Sequence, residues 1–272
     1  DQKVNLLENG MAVIVQENIE PDVSGVINTT KSLNKPNIME IEAALGFGEA
    51  IVSGVITPDT YYVDKENKQT LYESIVPQEK MLGKSGWKQL KKTYTKRKLE
   101  SKKLEVIIET AINIEKLFEK PQDIEYVVKN HEIFIVQTRP QTGMQISSNQ
   151  EPSLKVDRKK LLTTGLKGKI GIVISGEAIK ILSIKESGNF KENKILVAPF
   201  VTPAWDPILY KASAIITDEG GATSHAIRVA NERNIPVVVG TTNATKVINS
   251  GDKVIVDTTA SDVFKGKVYR DN

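Results

Sequence analysis

The stretch Gly220-Gly221-Ala222-Thr223-Ser224-His225-Ala226 constrains this chain more than any other, because it has to turn a strand into a helix within a few residues. Ala214-Ile215-Ile216-Thr217-Asp218 before it is a short apolar run with the pattern of a buried strand. Ile227 to Arg233 after it reads as the opening of a helix, with Thr223 or Ser224 available as N-cap. His225, one of only two histidines in 272 residues, therefore falls where a strand ends and a helix begins. Backbone N–H groups at a helix start favour negative charge by ~0.3–1 kcal/mol, so the position suits a phosphate. A neutral imidazole nitrogen there can be a nucleophile that holds a phosphoryl group covalently. On geometry alone, a capped helix with an incidental histidine fits equally well.

Composition narrows the alternatives. Without cysteine there are no disulfides, no thiolate chemistry and no cysteine-ligated zinc, and two histidines argue against a multi-histidine metal site. A net charge of +3 is too small to argue for nucleic acid. Its one basic concentration, Lys88 to Lys103, reads as a solvated helical face or a flexible connection. No run approaches the ~18 apolar residues that span a bilayer, and no secretory signal opens the chain. A cytoplasmic protein with neither nucleic-acid nor membrane partners is expected. His131 lies at a polar turn with no catalytic role expected, and Trp87 and Trp205 read as packing residues.

Along the first half, strands are expected over Met11–Gln16, Gly25–Thr29 and Met39–Ala44, then a hairpin from Tyr61–Asp64 and Thr70–Ile75. Ser101–Phe118 has helical spacing and ends at Lys120-Pro121. A second hairpin joins Ile124–Val128 to Glu132–Gln137 through Lys129-Asn130-His131. Residues 141–153 have the composition of a surface linker. Beyond it, strands are expected within 168–182 and over Ile195–Pro199, Val237–Val239, Lys253–Asp257 and Lys267–Tyr269, with a helix over Trp205–Ala212.

In the second hairpin, alternation puts Asp123 and Glu125 on one face of a strand and Gln137 and Arg139 on one face of its partner. If the register brings those faces together, two carboxylates, an amide and a guanidinium converge. Hard oxygen ligands suit Mg²⁺ and Arg suits phosphate oxygens. An ordinary cross-strand salt bridge, worth ~0.2–1 kcal/mol, is the plainer reading of the same residues.

Three segments in order carry a resemblance: Thr202-Pro203-Ala204-Trp205-Asp206-Pro207-Ile208, then Ala214 to Ala226, then Asn234-Ile235-Pro236-Val237-Val238-Val239-Gly240. Together they resemble the phosphohistidine swivelling domain of the phosphoenolpyruvate-utilising enzymes, specifically phosphoenolpyruvate synthase and pyruvate phosphate dikinase. Gly46 to Asp59, Pro121-Gln122-Asp123-Ile124-Glu125 and Gln137-Thr138-Arg139-Pro140 look like the carboxyl end of that family's ATP-grasp domain. The resemblance implies an α/β chain in which a partial ATP-grasp α+β domain (1–142) and a linker (143–164) precede a β/β/α phosphohistidine swivelling domain (165–272).

It also implies roles. His225 would carry phosphate between two distant sites, with Thr223 hydrogen-bonding the phosphate and Ser224 acting mainly as cap. Glu125 and Gln137 would contact Mg²⁺–ATP, as the metal ligands, and Arg139 the phosphates. Asp123 and Glu49 are further nucleotide candidates, and Arg228, one turn beyond His225, could steady a phosphate. The implied reaction moves the β-phosphoryl group of ATP to His225 and then to pyruvate, leaving AMP, phosphate and phosphoenolpyruvate. A pyruvate phosphate dikinase, a rifampin-type antibiotic phosphotransferase and a non-enzymatic phosphocarrier are the alternatives. The pattern is also incomplete. It begins around Met11, Ser24–Lys31 lacks the family's phenylalanine and Asp-Pro, and Asn272 follows the histidine domain at once. The expectation is a piece of a longer enzyme, whose partners are the missing ATP-grasp half and the pyruvate-binding barrel.

Overall fold

The computed structural model describes residues 13–31, 35–141, 161–168, 171–259 and 264–271. It is a mixed α/β structure built around a six-stranded antiparallel sheet and a closed barrel. The strands and helices of the first half are β1 (Val23–Asn28), β2 (Ile38–Leu45), α1 (Glu49–Val52), β3 (Asp59–Asp64), β4 (Thr70–Ser74), β5 (Gln78–Gly83), β6 (Gly86–Tyr94), α2 (Ser101–Phe118), β7 (Gln122–Lys129) and β8 (Glu132–Pro140). The sheet order is β4-β3-β2-β1-β7-β8, and β5 and β6 form a separate hairpin.

Strand alternation divides this sheet into two chemically different faces. Met39, Ile41 and Ala43 of β2 join Ile27, Tyr61, Val63 and Ile124 in a core against α2. The helix supplies Leu104, Ile107, Ile108 and Ala111, the spacing of one apolar stripe. The opposite face carries Glu40 and Glu42 of β2, paired across β1 with Asn28 and Val26 and from there with Asp123 and Glu125 of β7. A tight approach locks the centre of the sheet. The Tyr126 hydroxyl donates to the Glu42 carbonyl at 2.9 Å, and a Cβ at Gly25 would lie 2.0 Å from that same carbonyl oxygen. Replacing Tyr126 by Phe is expected to destabilise the protein by about 1 kcal/mol, the net worth of one hydrogen bond. A denaturation midpoint that falls with an unchanged slope would be the corresponding observation.

The second half comprises β9 (Leu161–Lys167), β10 (Val173–Lys180), β11 (Ile195–Ala198), α3 (Asp206–Leu209), β12 (Ala214–Thr217), α4 (His225–Arg233), β13 (Val237–Val239), α5 (Ala244–Val247), β14 (Lys253–Asp257) and β15 (Lys265–Arg270). The barrel closes in the order β10-β11-β12-β13-β9-β15-β14. Strands β10 to β13 are parallel to one another. Of these, β11, β12 and β13 bury both faces, which explains why they read as unbroken apolar runs. Ile195, Val197, Ile216 and Val238 fill one core with Val254, Val256 and Val268. Leu196, Ile215, Val237 and Val239 point the other way, onto Ile208 and Leu209 of α3 and Ala226, Ile227 and Ala230 of α4.

Several expectations are corrected. Val13, Ile14 and Val15 are 77%, 88% and 95% exposed and form no strand with any described residue; Met11 and Ala12 lie outside the described residues. The basic run Lys88–Lys103 is strand β6 to Tyr94, a loop in which Lys98 is buried against Asp59 at 2.6 Å, and only at Lys102 and Lys103 the first turn of α2. The expected helix over Trp205–Ala212 is a 3-10 turn at Pro203–Trp205 plus the single turn α3; Pro207, with no N–H to donate back to Pro203, breaks the continuity of the two. Trp205 packs at 4% exposure, whereas Trp87 is 47% exposed with the Lys80 ammonium over its ring. Within the expected linker, residues 143–160 lie outside the described residues, and Leu161–Thr164 belong to β9 through pairing with β15.

Candidate functional site

The hairpin register brings the four candidate residues of the first half together. Asp123 is opposite Arg139 and Glu125 is opposite Gln137. Arg139 donates from Nε and from a terminal nitrogen to one Asp123 oxygen, at 2.9 and 2.7 Å. The cross-strand salt bridge is therefore present, and it leaves Glu125 facing Gln137 beside it. Partial burial, and then the Asp123 charge, push the Glu125 carboxyl above its ordinary value, while Arg139 pulls it back. Among the described residues no group of three or more His, Asp or Glu is close enough together to form a metal cage. Glu49 sits exposed as the first residue of α1, after the end of β2, and is not tied to this group.

The row continues across the sheet. Asp123 pairs with Asn28, which pairs with Glu40; Glu125 pairs with Val26, which pairs with Glu42. Asn28 donates to the Glu40 carboxylate at 3.1 Å and receives the Gln141 amide at 2.9 Å. Glu42 is fully buried and reaches out of the sheet to the turn before α4. It accepts the Ala222 N–H, the Thr223 N–H and the Thr223 hydroxyl. Beside it, Thr57 donates to Glu219 at 2.5 Å and accepts the Gly220 N–H at 3.1 Å. Gly221 makes this closeness possible, since a Cβ there would lie 2.0 Å from a Glu42 oxygen and 2.7 Å from the Pro58 ring. Burial, reinforced by the charge of Glu40, pushes the Glu42 carboxyl up to about 8 despite the donors from Thr223 and Ala222.

His225 is the first residue of α4, with its side chain 3% exposed. Its Nε2 lies 2.5 Å from Asp206 Oδ1, and its Nδ1 lies 2.6 Å from the Arg228 guanidinium. Ser224 takes the N-cap position with extended backbone, but its hydroxyl makes no capping bond. That hydroxyl is buried without a hydrogen-bond partner. Thr223, expected to face a phosphate, instead gives its hydroxyl to Glu42. Arg228, read from sequence as a residue that could steady a phosphate or equally be a surface charge, holds the His225 ring. His131 is exposed at the hairpin turn with a positive φ of 70°, 3.1 Å from the Lys103 ammonium.

Two residues of this site carry roles that sequence reasoning did not assign. Asp206 lay inside a quoted motif, and its acidic side chain between Trp205 and Pro207 was a usable signal. Glu42 alternates with apolar residues in β2, so only its charge at a buried strand position hinted at a partner.

Comparison with known proteins agrees with the two halves of the chain. Residues 1–160 match the family model of the pyruvate phosphate dikinase, AMP/ATP-binding domain. Residues 190–261 match that of the PEP-utilising enzyme, mobile domain. The chain is 36% identical over 268 residues to a probable phosphoenolpyruvate synthase of Archaeoglobus fulgidus, covering 96% of this chain and 35% of that protein. With phosphoenolpyruvate synthase of Pyrococcus furiosus it shares 33% over 273 residues, covering 95% and 33%. With that of Escherichia coli it shares 30% over 255 residues, covering 85% and 31%. The chain thus spans about a third of the length of the curated relatives it matches. Among the described residues no helix is long and apolar enough to cross a membrane. The chain belongs to the phosphoenolpyruvate synthase and pyruvate phosphate dikinase family.

Proposed function

We propose that this chain is the ATP-side and carrier portion of a phosphoenolpyruvate synthase-like phosphotransferase. His225 takes the β-phosphoryl group of ATP and passes it to pyruvate, the whole reaction converting ATP, pyruvate and water to AMP, phosphoenolpyruvate and phosphate. In this reading residues 1–142 form the carboxyl part of an ATP-grasp domain, and residues 165–272 a swivelling domain with β9 as its first strand. The acceptor site, and the rest of the nucleotide site, belong to protein outside this chain.

One observation carries the reading. A single sheet face bears Asp123, Glu125, Gln137 and Arg139 and continues to Glu42, which touches the turn holding His225. Nucleotide candidates and carrier candidate therefore share one side of one sheet. Glu125 and Gln137 offer two oxygens side by side, which suits Mg²⁺ because this ion is ordinarily held by few protein oxygens together with substrate phosphates. When bound, Mg²⁺ would neutralise charge on the transferring phosphoryl. Arg139, held in plane by Asp123, presents the rest of its fork to phosphate oxygens. Near His225, the orphaned Ser224 hydroxyl gains a partner when a phosphoryl oxygen arrives.

Intact mass measured after incubation with Mg²⁺–ATP, and separately with a phosphoenolpyruvate-charged barrel from a related enzyme, tests this reading. Gain of one acid-labile phosphate with the charged barrel, and with ATP once the missing half of the nucleotide site is supplied from a related enzyme, is the expected result. A gain only with the charged barrel would reduce the chain to a phosphocarrier. No gain with either donor would remove the function and leave the fold.

A further inference from the structure

We propose that Asp206 is the proton acceptor of the carrier histidine: its carboxylate takes the Nε2 proton of His225 as Nε2 bonds to phosphorus. This rests on the reading of His225 as the phosphoryl carrier and specifies which nitrogen reacts and where its proton goes.

The hydrogen bonds around the ring fix the tautomer. A guanidinium donates through every N–H and accepts nothing, so the Arg228 nitrogen 2.6 Å from Nδ1 requires a lone pair on Nδ1. A neutral imidazole then has its proton on Nε2, where it is donated to Asp206 Oδ1 at 2.5 Å. The resting ring consequently has no idle lone pair. Attack through Nδ1 would break a charge-assisted hydrogen bond. Attack through Nε2 needs the proton to shift to Asp206 along a hydrogen bond that already exists and the carboxyl then to turn off the Nε2 axis, which a side chain 38% exposed has room to do.

The step balances as written. The Nε2–H bond breaks, its electron pair forms the Nε2–P bond, the proton passes to the Asp206 carboxylate, and the P–O bond to the donor's leaving oxygen breaks. Nδ1 stays unprotonated and bound to Arg228 before and after. When the phosphoryl leaves for its acceptor, Asp206 returns the proton to Nε2. No neighbouring hydroxyl is set for this task, since that of Thr223 is committed to Glu42 and that of Ser224 has no partner.

The support around the dyad is rigid. Asp206 is the first residue of α3 and Arg228 sits one turn beyond His225 on α4. The two helices pack together through Ile208, Leu209, Ile227 and Ala230. His225 is 3% exposed, so bulk water is not at hand as a base, whereas Asp206, at 38%, can exchange its proton with solvent. A carboxylate supported in this way also fixes the orientation of the imidazole.

The test uses the full chain labelled with ¹⁵N-histidine and potassium phosphoramidate as donor, so that no nucleotide site is needed and the result does not depend on whether ATP is the natural donor. In the wild type, the ¹⁵N shifts of His225 are expected to show Nε2 protonated and Nδ1 not, and the phosphoryl to appear on Nε2. Asp206→Asn retains a carbonyl oxygen that accepts from Nε2–H but cannot take its proton. It should keep the tautomer while slowing phosphorylation of His225 by about 100-fold. Phosphorylation of the variant at the wild-type rate would overturn the proposal. So would a wild-type spectrum with the proton on Nδ1, a result that stands even if the variant folds poorly.

Discussion

Substituting His225 by Ala is expected to abolish acid-labile phosphorylation, with whichever donor labels the wild type, while His131→Ala labels fully. The contrast follows from where the two imidazoles sit. His225 is enclosed, with one nitrogen on Asp206 and the other on Arg228, so its ring is oriented before any donor arrives. His131 lies exposed on a hairpin turn, its Nδ1 3.1 Å from the flexible Lys103 ammonium, without the enclosure that holds His225. Losing the attacking atom removes the covalent step altogether, a loss of a different order from that of an aligning group. Because α4 starts at His225 with Ser224 as cap, His225→Ala can keep its helix, and circular dichroism should match the wild type. Comparable labelling of both variants would end the assignment of His225 as carrier.

How much of this could be read in the residues depended on whether the relevant signal was local. Strand β2, helix α2 and the hairpin of β7 and β8 were legible because each obeys one period over several residues. The turn alone would pair Glu125 with Val136; a bulge between Glu125 and Tyr126 shifts the register by one residue and sets Asp123 opposite Arg139 and Glu125 opposite Gln137, a detail that strand alternation does not announce. Val13–Val15 failed for the converse reason: three apolar residues suit a strand, but a strand exists only with a partner. The Lys88–Lys103 run misled because lysines on an exposed two-stranded hairpin have the same composition as a helix face. Lys98 among them is buried by Asp59, a residue far along the chain. The environment of His225 was half legible. Arg228 is one helical turn away and could be inferred, whereas Asp206 lies 19 residues upstream on another helix. The contact of Glu42 with Thr223 spans 181 residues, a separation that no local pattern can announce.

That same long-range contact is expected to make association of the sheet with the barrel depend steeply on pH. The Glu42 carboxyl rests at about 8 in the closed arrangement, against an ordinary 4.5, chiefly because burial disfavours its charge and secondarily because Glu40 lies on the same face. Tyr62, on the same face, offers no positive charge. A raised value means the closed form holds the proton more tightly than an open form in which Glu42 meets water. Closure is therefore favoured in full below about 4.5, weakens as the pH climbs towards about 8, and loses nothing more above that. Over the whole window the loss amounts to about 5 kcal/mol. The stacked Tyr62, Tyr72 and Phe264 rings oppose it, but one aromatic cluster adds only ~0.5–1.5 kcal/mol per pair beyond its buried area. Small-angle scattering of the whole chain should accordingly show a radius of gyration that grows between about pH 5 and about pH 8. Glu42→Gln, which cannot ionise, should stay compact throughout. Gly221→Ala should be expanded at every pH, because its methyl would occupy the space of the Glu42 oxygen and the Pro58 ring. An unchanged pH response in Glu42→Gln would show that another group governs closure. A rise confined to the wild type at high pH would show that the charge of Glu42 itself drives the barrel off the sheet.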